Sequence, residues 1–182
     1  MLVAIFKNSN KLLNRKEFTF LNMVSNESIV KIIEPSKEIF ELIAFYKKLI
    51  QKALPNCKIT LIGSFAIPMC GKEEFDLLIE VDDVKNSQRL IKENSQNRIG
   101  IGPIVDGEGF CRSKKRFGII CELHIVPRNH KKIKQYLDLI DKLKLNPKLV
   151  EEYSNLKRSL DGSLEKEYKK EKSKFLRNHN LI

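Results

Sequence analysis

Residues 57–81 read CKITLIGSFAIPMCGKEEFDLLIEV. Cys57–Ile62 (CKITLI) alternates well enough for a strand, and Gly63-Ser64 breaks it. Phe75–Val81 (FDLLIEV) is apolar enough for a largely buried strand, yet it carries Asp76. A carboxylate buried there without a partner costs several kcal/mol. Asp76 is therefore paired, exposed at a sheet end, or on a metal. Two strands separated by a Gly-Ser break place a sheet at the centre of the fold.

Working outward, Ile29–Ile33 (IVKII) is a short strand candidate. Ser36 is placed to cap a helix with Glu38 in its positive first turn. Ile39, Leu42, Ile43, Tyr46, Leu49, Ile50 and Ala53 then recur at three- and four-residue steps up to Pro55-Asn56. Asp82-Asp83 predicts the cap of a short helix through Leu90 and Ile91. Residues 94–109 predict turns around a short strand at Ile101–Val105, and Phe110–Ser113 with Phe117–Val126 predicts an antiparallel pair across Lys114-Lys115. Three helices finish the chain, at about Asn129–Leu143, after Asn146-Pro147, and after Asp161-Gly162-Ser163. The fold class is α+β: a small mixed sheet with flanking helices and a helical C-terminal segment. Residues 1–22 read as an N-terminal extension to which no role is assigned, with Met23 a candidate second start. Residues 23–182 read as one domain, its sheet part about 29–127 and its helical part about 128–180.

At 182 residues with 42% hydrophobic content the chain can bury a sizeable core. No apolar run approaches the ~18–20 residues of a membrane span, and Leu2–Phe6 is shorter than a signal-peptide core of about 7–15. A soluble, cytoplasmic protein without membrane partners is expected. Cys57, Cys70, Cys111 and Cys121 form no C-x-x-C pair and match no zinc spacing, so they read as structural thiols. The formal charge is +11, and from Arg128 onward 15 basic residues face 8 acidic ones. Such an excess suits nucleic-acid backbone or nucleotide phosphates, or is simply a solvated helix face.

One constellation points to chemistry: Gly63-Ser64 after a strand, Asp76 in the next strand, and Glu122 and His124 in a third. A strand followed by Gly-Ser and a helix start offers backbone N–H groups and a hydroxyl to a phosphate. A carboxylate in a neighbouring strand supplies the hard oxygen ligand that Mg²⁺ takes while it bridges phosphates. His124, two residues beyond Glu122, faces the same side of the sheet and could ligate, act as acid or base, or be a core histidine.

This ordered series resembles the nucleotidyltransferase superfamily and, within it, the GrpB family, over about Val30–Phe175. Gly63-Ser64-Phe65-Ala66-Ile67-Pro68 is similar to the family's Gly-Ser-Thr-Ser-Val-Pro, Lys72–Leu77 to its Lys-Pro-Ile-Ile-Asp-Ile, and Glu122-Leu123-His124-Ile125-Val126 to its His-Leu-His-Val strand. Tyr136-Leu137, Asn146-Pro147, Tyr153-x-x-Leu156-Lys157-Arg158, Tyr168, Lys172 and Phe175 fall where the family has its C-terminal helices. There are departures. Phe65 and Ala66 remove two hydroxyls from the loop, Glu73 replaces a proline, and Glu122 replaces a histidine. Leu78 stands where transferring members of the superfamily place a second carboxylate. Glu80 is ~13 Å from Asp76 along the strand, too far to share its ion.

The resemblance implies transfer of a nucleotidyl group from a nucleoside triphosphate, with Mg²⁺, to an unknown acceptor (small molecule, protein or RNA). Asp76 and Glu122 would hold the metal, with Asp76 and His124 as catalytic residues. Gly63, Ser64, Lys72, Lys157 and Lys172 would bind phosphates. The alternatives are a non-catalytic nucleotide- or phosphometabolite-binding module, supported by the incomplete carboxylate set, and RNA binding through the basic C-terminal helices.

Overall fold

The computed structural model describes residues 28–67 and 69–182. The extension at residues 1–22 and the second start at Met23 lie outside them. Among the described residues a five-stranded sheet contains β2 (Lys58–Ile62), β4 (Glu74–Val81), β5 (Ile99–Val105), β6 (Glu108–Ser113) and β7 (Ile120–Pro127). A separate two-stranded ribbon pairs β1 (Ile32–Ile33) with β3 (Gly71–Lys72).

The order in the main sheet is β2-β4-β7-β6-β5, and only β4 and β7 run parallel. A parallel neighbour needs a long return connection. Here it contains helix α2 (Val84–Asn94) and the β5–β6 hairpin.

Alternation along β4 fixes which residues face which layer. Phe75, Leu77, Ile79 and Val81 join Cys121, Leu123 and Ile125 of β7 in one core. Helix α1 (Lys37–Ala53) covers that core with Ile39, Leu42, Ile43, Tyr46 and Ile50, and α2 adds Val84 and Ile91. The opposite face of the sheet carries Ile62, Leu78 and Val126. These pack against Ile140 and Leu143 of α3 (Lys131–Lys144), Leu149 and Tyr153 of α4 (Pro147–Ser159) and Leu176 of α5 (Glu165–Asn178). Asp76, Glu122 and His124 share this second face.

The helix starts follow their caps. Ser36 Oγ accepts from Ile39 N, Asp83 Oδ1 from Asn86 N at 2.9 Å, and Asn146 Oδ1 from Leu149 N at 3.1 Å. The expected mixed sheet with flanking and C-terminal helices is present, with corrections in detail. Ile29–Ile33 yields only the two-residue β1, and Ile29 makes an isolated bridge to Leu164. The strand expected at Ile101–Val105 starts at Ile99, because its hairpin partner reaches Ser113. The third C-terminal helix follows Asp161-Gly162-Ser163 as expected, starting at Glu165, and the Ser163 hydroxyl turns back to the Leu160 carbonyl. Among the described residues no helix is long and apolar enough to cross a membrane.

Candidate active site

Parallel pairing sets Asp76 directly opposite Glu122, while β2 sets Ile62 opposite Asp76. The chain leaves the sheet at Gly63, immediately beside the Asp76 carboxylate. Gly63 has φ +69°, and a Cβ there would overlap Asp76 Oδ2. Glycine is required twice, by conformation and by space. No α-helix follows: Ser64–Ala66 is a single 3₁₀ turn, so the expected helix start contributes no macrodipole to the loop.

Asp76, Glu122 and His124 come together with one ligand atom from each within 4.8 Å of the others. The His124 ring stands between two acids, Nε2 3.5 Å from Asp76 Oδ1 and Nδ1 2.7 Å from Glu108 Oε1. Burial opposes its charge, but the bonds to Asp76 and Glu108 outweigh burial and raise its pKa to about 9. Glu122 is shifted up by burial and by the neighbouring Glu74 and Asp76, with Arg112 and His124 opposing. Two carboxylates and an imidazole facing one point suit a divalent cation.

Lys157 reaches the site from α4. It is 2% exposed, and its Nζ donates to Ser64 Oγ at 2.7 Å and to the Cys70 carbonyl at 3.2 Å, above the Tyr153 ring. Burial pushes its pKa down to about 7, helped by Lys172 and Lys72 and opposed by the Cys70 thiol and Asp76. Lys172 is half-buried and, among the described residues, has no ion-pair partner. Lys72 is committed elsewhere: it pairs with Glu74 at 2.5 Å and Glu165 at 2.9 Å. The five expected phosphate-binding residues thus lie in one region, but only Lys157 and Lys172 hold charge that is not already neutralised by a carboxylate.

Three participants are absent from the sequence reading, though one of them, Glu74, carried a signal there. Glu108, wholly buried at the start of β6, binds His124 through Oε1, accepts from Tyr136 Oη at 3.0 Å and pairs with Lys132. Those partners hold its carboxyl down at about 2 against the effect of burial. In the sequence Glu108 is one acid in a glycine-rich turn, with nothing to separate it from a solvated hairpin residue. Glu74 lies two residues before Asp76, so strand alternation alone places it on the same face. Arg112, opposite Glu122 in β6, reaches Glu74 at 3.2 Å and Glu122 at 3.8 Å.

The fold is shared with solved structures. A Cid1 poly(U) polymerase structure with MgGTP bound superposes with a TM-score of 0.52 at 19% identity. That match covers 79% of this chain but 47% of that one, so this chain spans about half the polymerase. The fold is that of the nucleotidyltransferases. The crystal structure of the conserved protein GrpB from Enterococcus faecalis matches with a TM-score of 0.61 at 22% identity, over 81% of this chain and 98% of that one. A UPF0157 protein of Vibrio cholerae is 28% identical over 134 residues, 72% of this chain and 70% of its own length. The family model described as GrpB protein matches residues 29–180. The chain belongs to the GrpB family.

Proposed function

We propose that the chain binds a nucleoside triphosphate together with a divalent cation and transfers its nucleotidyl group to an acceptor hydroxyl. One observation carries this reading: the Asp76–Glu122–His124 cluster faces a Gly-Ser loop whose hydroxyl is held by a buried lysine. A buried ammonium with no carboxylate of its own is costly. An anion beside Ser64 would repay that cost, and phosphate fits both the charge and the donors.

Asp76 and Glu122 are the carboxylates that would hold the ion, Mg²⁺ being the one expected from sequence. When bound, it would neutralise charge on the phosphates during the displacement. Lys157 supplies positive charge beside Ser64, with Lys172 near it, and Gly63 lets the Asp76 carboxylate lie against the loop backbone. The acceptor oxygen forms a bond to the α-phosphorus, the bond from that phosphorus to the β-bridging oxygen breaks, and pyrophosphate leaves. The acceptor's proton passes to a carboxylate of the site that the ion does not occupy, or to solvent. His124 has Nδ1 committed to Glu108, which leaves Nε2 alone to face the site.

A second reading is favoured by the ion pairs already made by Lys72, Glu74, Arg112 and Glu122, which leave few groups free for chemistry. It makes the chain a nucleotide-binding module without turnover. Calorimetric titration of ATP and GTP with and without Mg²⁺, on wild type and Asp76→Asn, separates the two. Metal-dependent binding lost in the variant supports the transferase site, whereas binding that survives in both supports the module.

A further inference from the structure

We infer that the ion held by Asp76 and Glu122 is a first-row transition ion such as Mn²⁺ or Co²⁺ in preference to Mg²⁺, because His124 adds a nitrogen ligand that Glu108 holds in place. The inference rests on the reading above and narrows it to a class of ion and one positioning residue.

Mg²⁺ is hard, takes oxygen ligands and keeps several waters, while an imidazole nitrogen adds affinity for first-row transition ions, least for Mn²⁺ and more for Co²⁺. A site of carboxylates alone would give Mg²⁺ little competition. Here a nitrogen lies within the same 4.8 Å cluster as the two carboxylates. The His124 ring is fixed on three sides. Phe110 and Tyr136 meet it edge-on, with centroids at 5.3 and 5.4 Å, and Glu108 Oε1 sits 2.7 Å from Nδ1. With Nδ1–H donated to Glu108, the lone pair of the neutral ring lies on Nε2, the atom nearest Asp76.

Glu108 is itself immobilised, wholly buried, with Tyr136 on one oxygen and Lys132 on the other. This is the carboxylate–imidazole–metal arrangement by which an outer acid selects the tautomer of a ligand. Lys132 and Tyr136 hold Glu108, Glu108 holds His124, and His124 with the two strand carboxylates presents a mixed nitrogen and oxygen donor set.

The test titrates Mn²⁺ and Mg²⁺ separately into the full chain, for wild type, Asp76→Asn, His124→Asn and Glu108→Gln, with thermal melts confirming that each variant folds. Wild type is expected to bind one Mn²⁺ at least about 10-fold more tightly than Mg²⁺, with spin-echo modulation from a nitrogen on the bound Mn²⁺ that disappears in His124→Asn. Glu108→Gln should weaken Mn²⁺ by roughly 10- to 100-fold and leave Mg²⁺ within about 3-fold. Absence of nitrogen modulation, or equal weakening of both ions by Glu108→Gln, overturns the inference. If wild type binds both ions alike and Asp76→Asn abolishes both, the proposed function stands and this inference falls. If wild type binds neither ion, both fall.

Discussion

Lys157 Nζ donates to Ser64 Oγ at 2.7 Å across 93 positions of chain, tying helix α4 to the loop that leaves the sheet beside Asp76. Burial lowers its pKa from 10.5 to about 7. The cost of keeping it charged is fully present below pH 7 and vanishes as the pH rises towards 10.5, where the unfolded chain is neutral too. Lys157→Met should therefore raise stability by about 1–3 kcal/mol at pH 6, less at pH 9, and weaken nucleotide binding at least tenfold. Thermal melts at both pH values and a nucleotide titration check this; a variant less stable than wild type at pH 6 would contradict it.

In the metal-free protein the His124–Glu108 pair sets a second pH dependence. His124 is raised from 6.5 to about 9, so its contribution is complete below pH 6.5 and is lost as the pH climbs through 9. Glu108 is lowered from 4.5 to about 2, so its contribution is present above pH 4.5 and lost only on acidification through 2. In a Lys157→Met background, which removes the opposite pH dependence of that lysine, unfolding followed in chelator should show stability highest between about pH 4.5 and 6.5 and falling from 6.5 to 9. Glu108→Gln should flatten that alkaline decline, which an unchanged slope would refute.

Gly63→Ala adds a methyl where Asp76 Oδ2 lies and forces φ +69° on an alanine. A loss of about 1–3 kcal/mol is expected, with metal affinity falling further than stability, because the clash moves a ligand. Denaturant unfolding together with Mn²⁺ titration measures both. Unchanged metal affinity would mean the loop and Asp76 are not coupled.

Leu78 occupies the place where a second carboxylate is expected of transferring superfamily members, but it is wholly buried with Ile62, Val126 and Tyr153. Leu78→Asp should not create a ligand. It should cost about 3–5 kcal/mol or prevent folding, since an unpaired charge would replace core volume. Circular dichroism and urea unfolding would show it; a stable variant with a second bound ion would overturn this view of the position.

The fold was largely legible because its strongest signals are local. FDLLIEV alternates into two cores, and Ser36, Asp83 and Asn146 each cap the helix that follows them. The short ribbon of β1 and β3 was not legible as a pair, because two-residue strands carry no periodicity. Asp76, Glu122 and His124 could be placed on one face from strand parity alone. Glu108 could not, because it meets His124 only through the β6–β7 register and the packing of Tyr136 from α3. Lys157 was singled out by the family resemblance and not by the helix pattern; that its ammonium points inward depends on how α4 docks on the loop.

The most direct measurement is a structure of the chain with a non-hydrolysable nucleoside triphosphate and Mn²⁺. One ion is expected ~2.0–2.3 Å from Asp76, Glu122 and His124 Nε2, with the triphosphate running from that ion to Ser64, Lys157 and Lys172. A nucleotide bound elsewhere, or an ion held without Asp76, would contradict it.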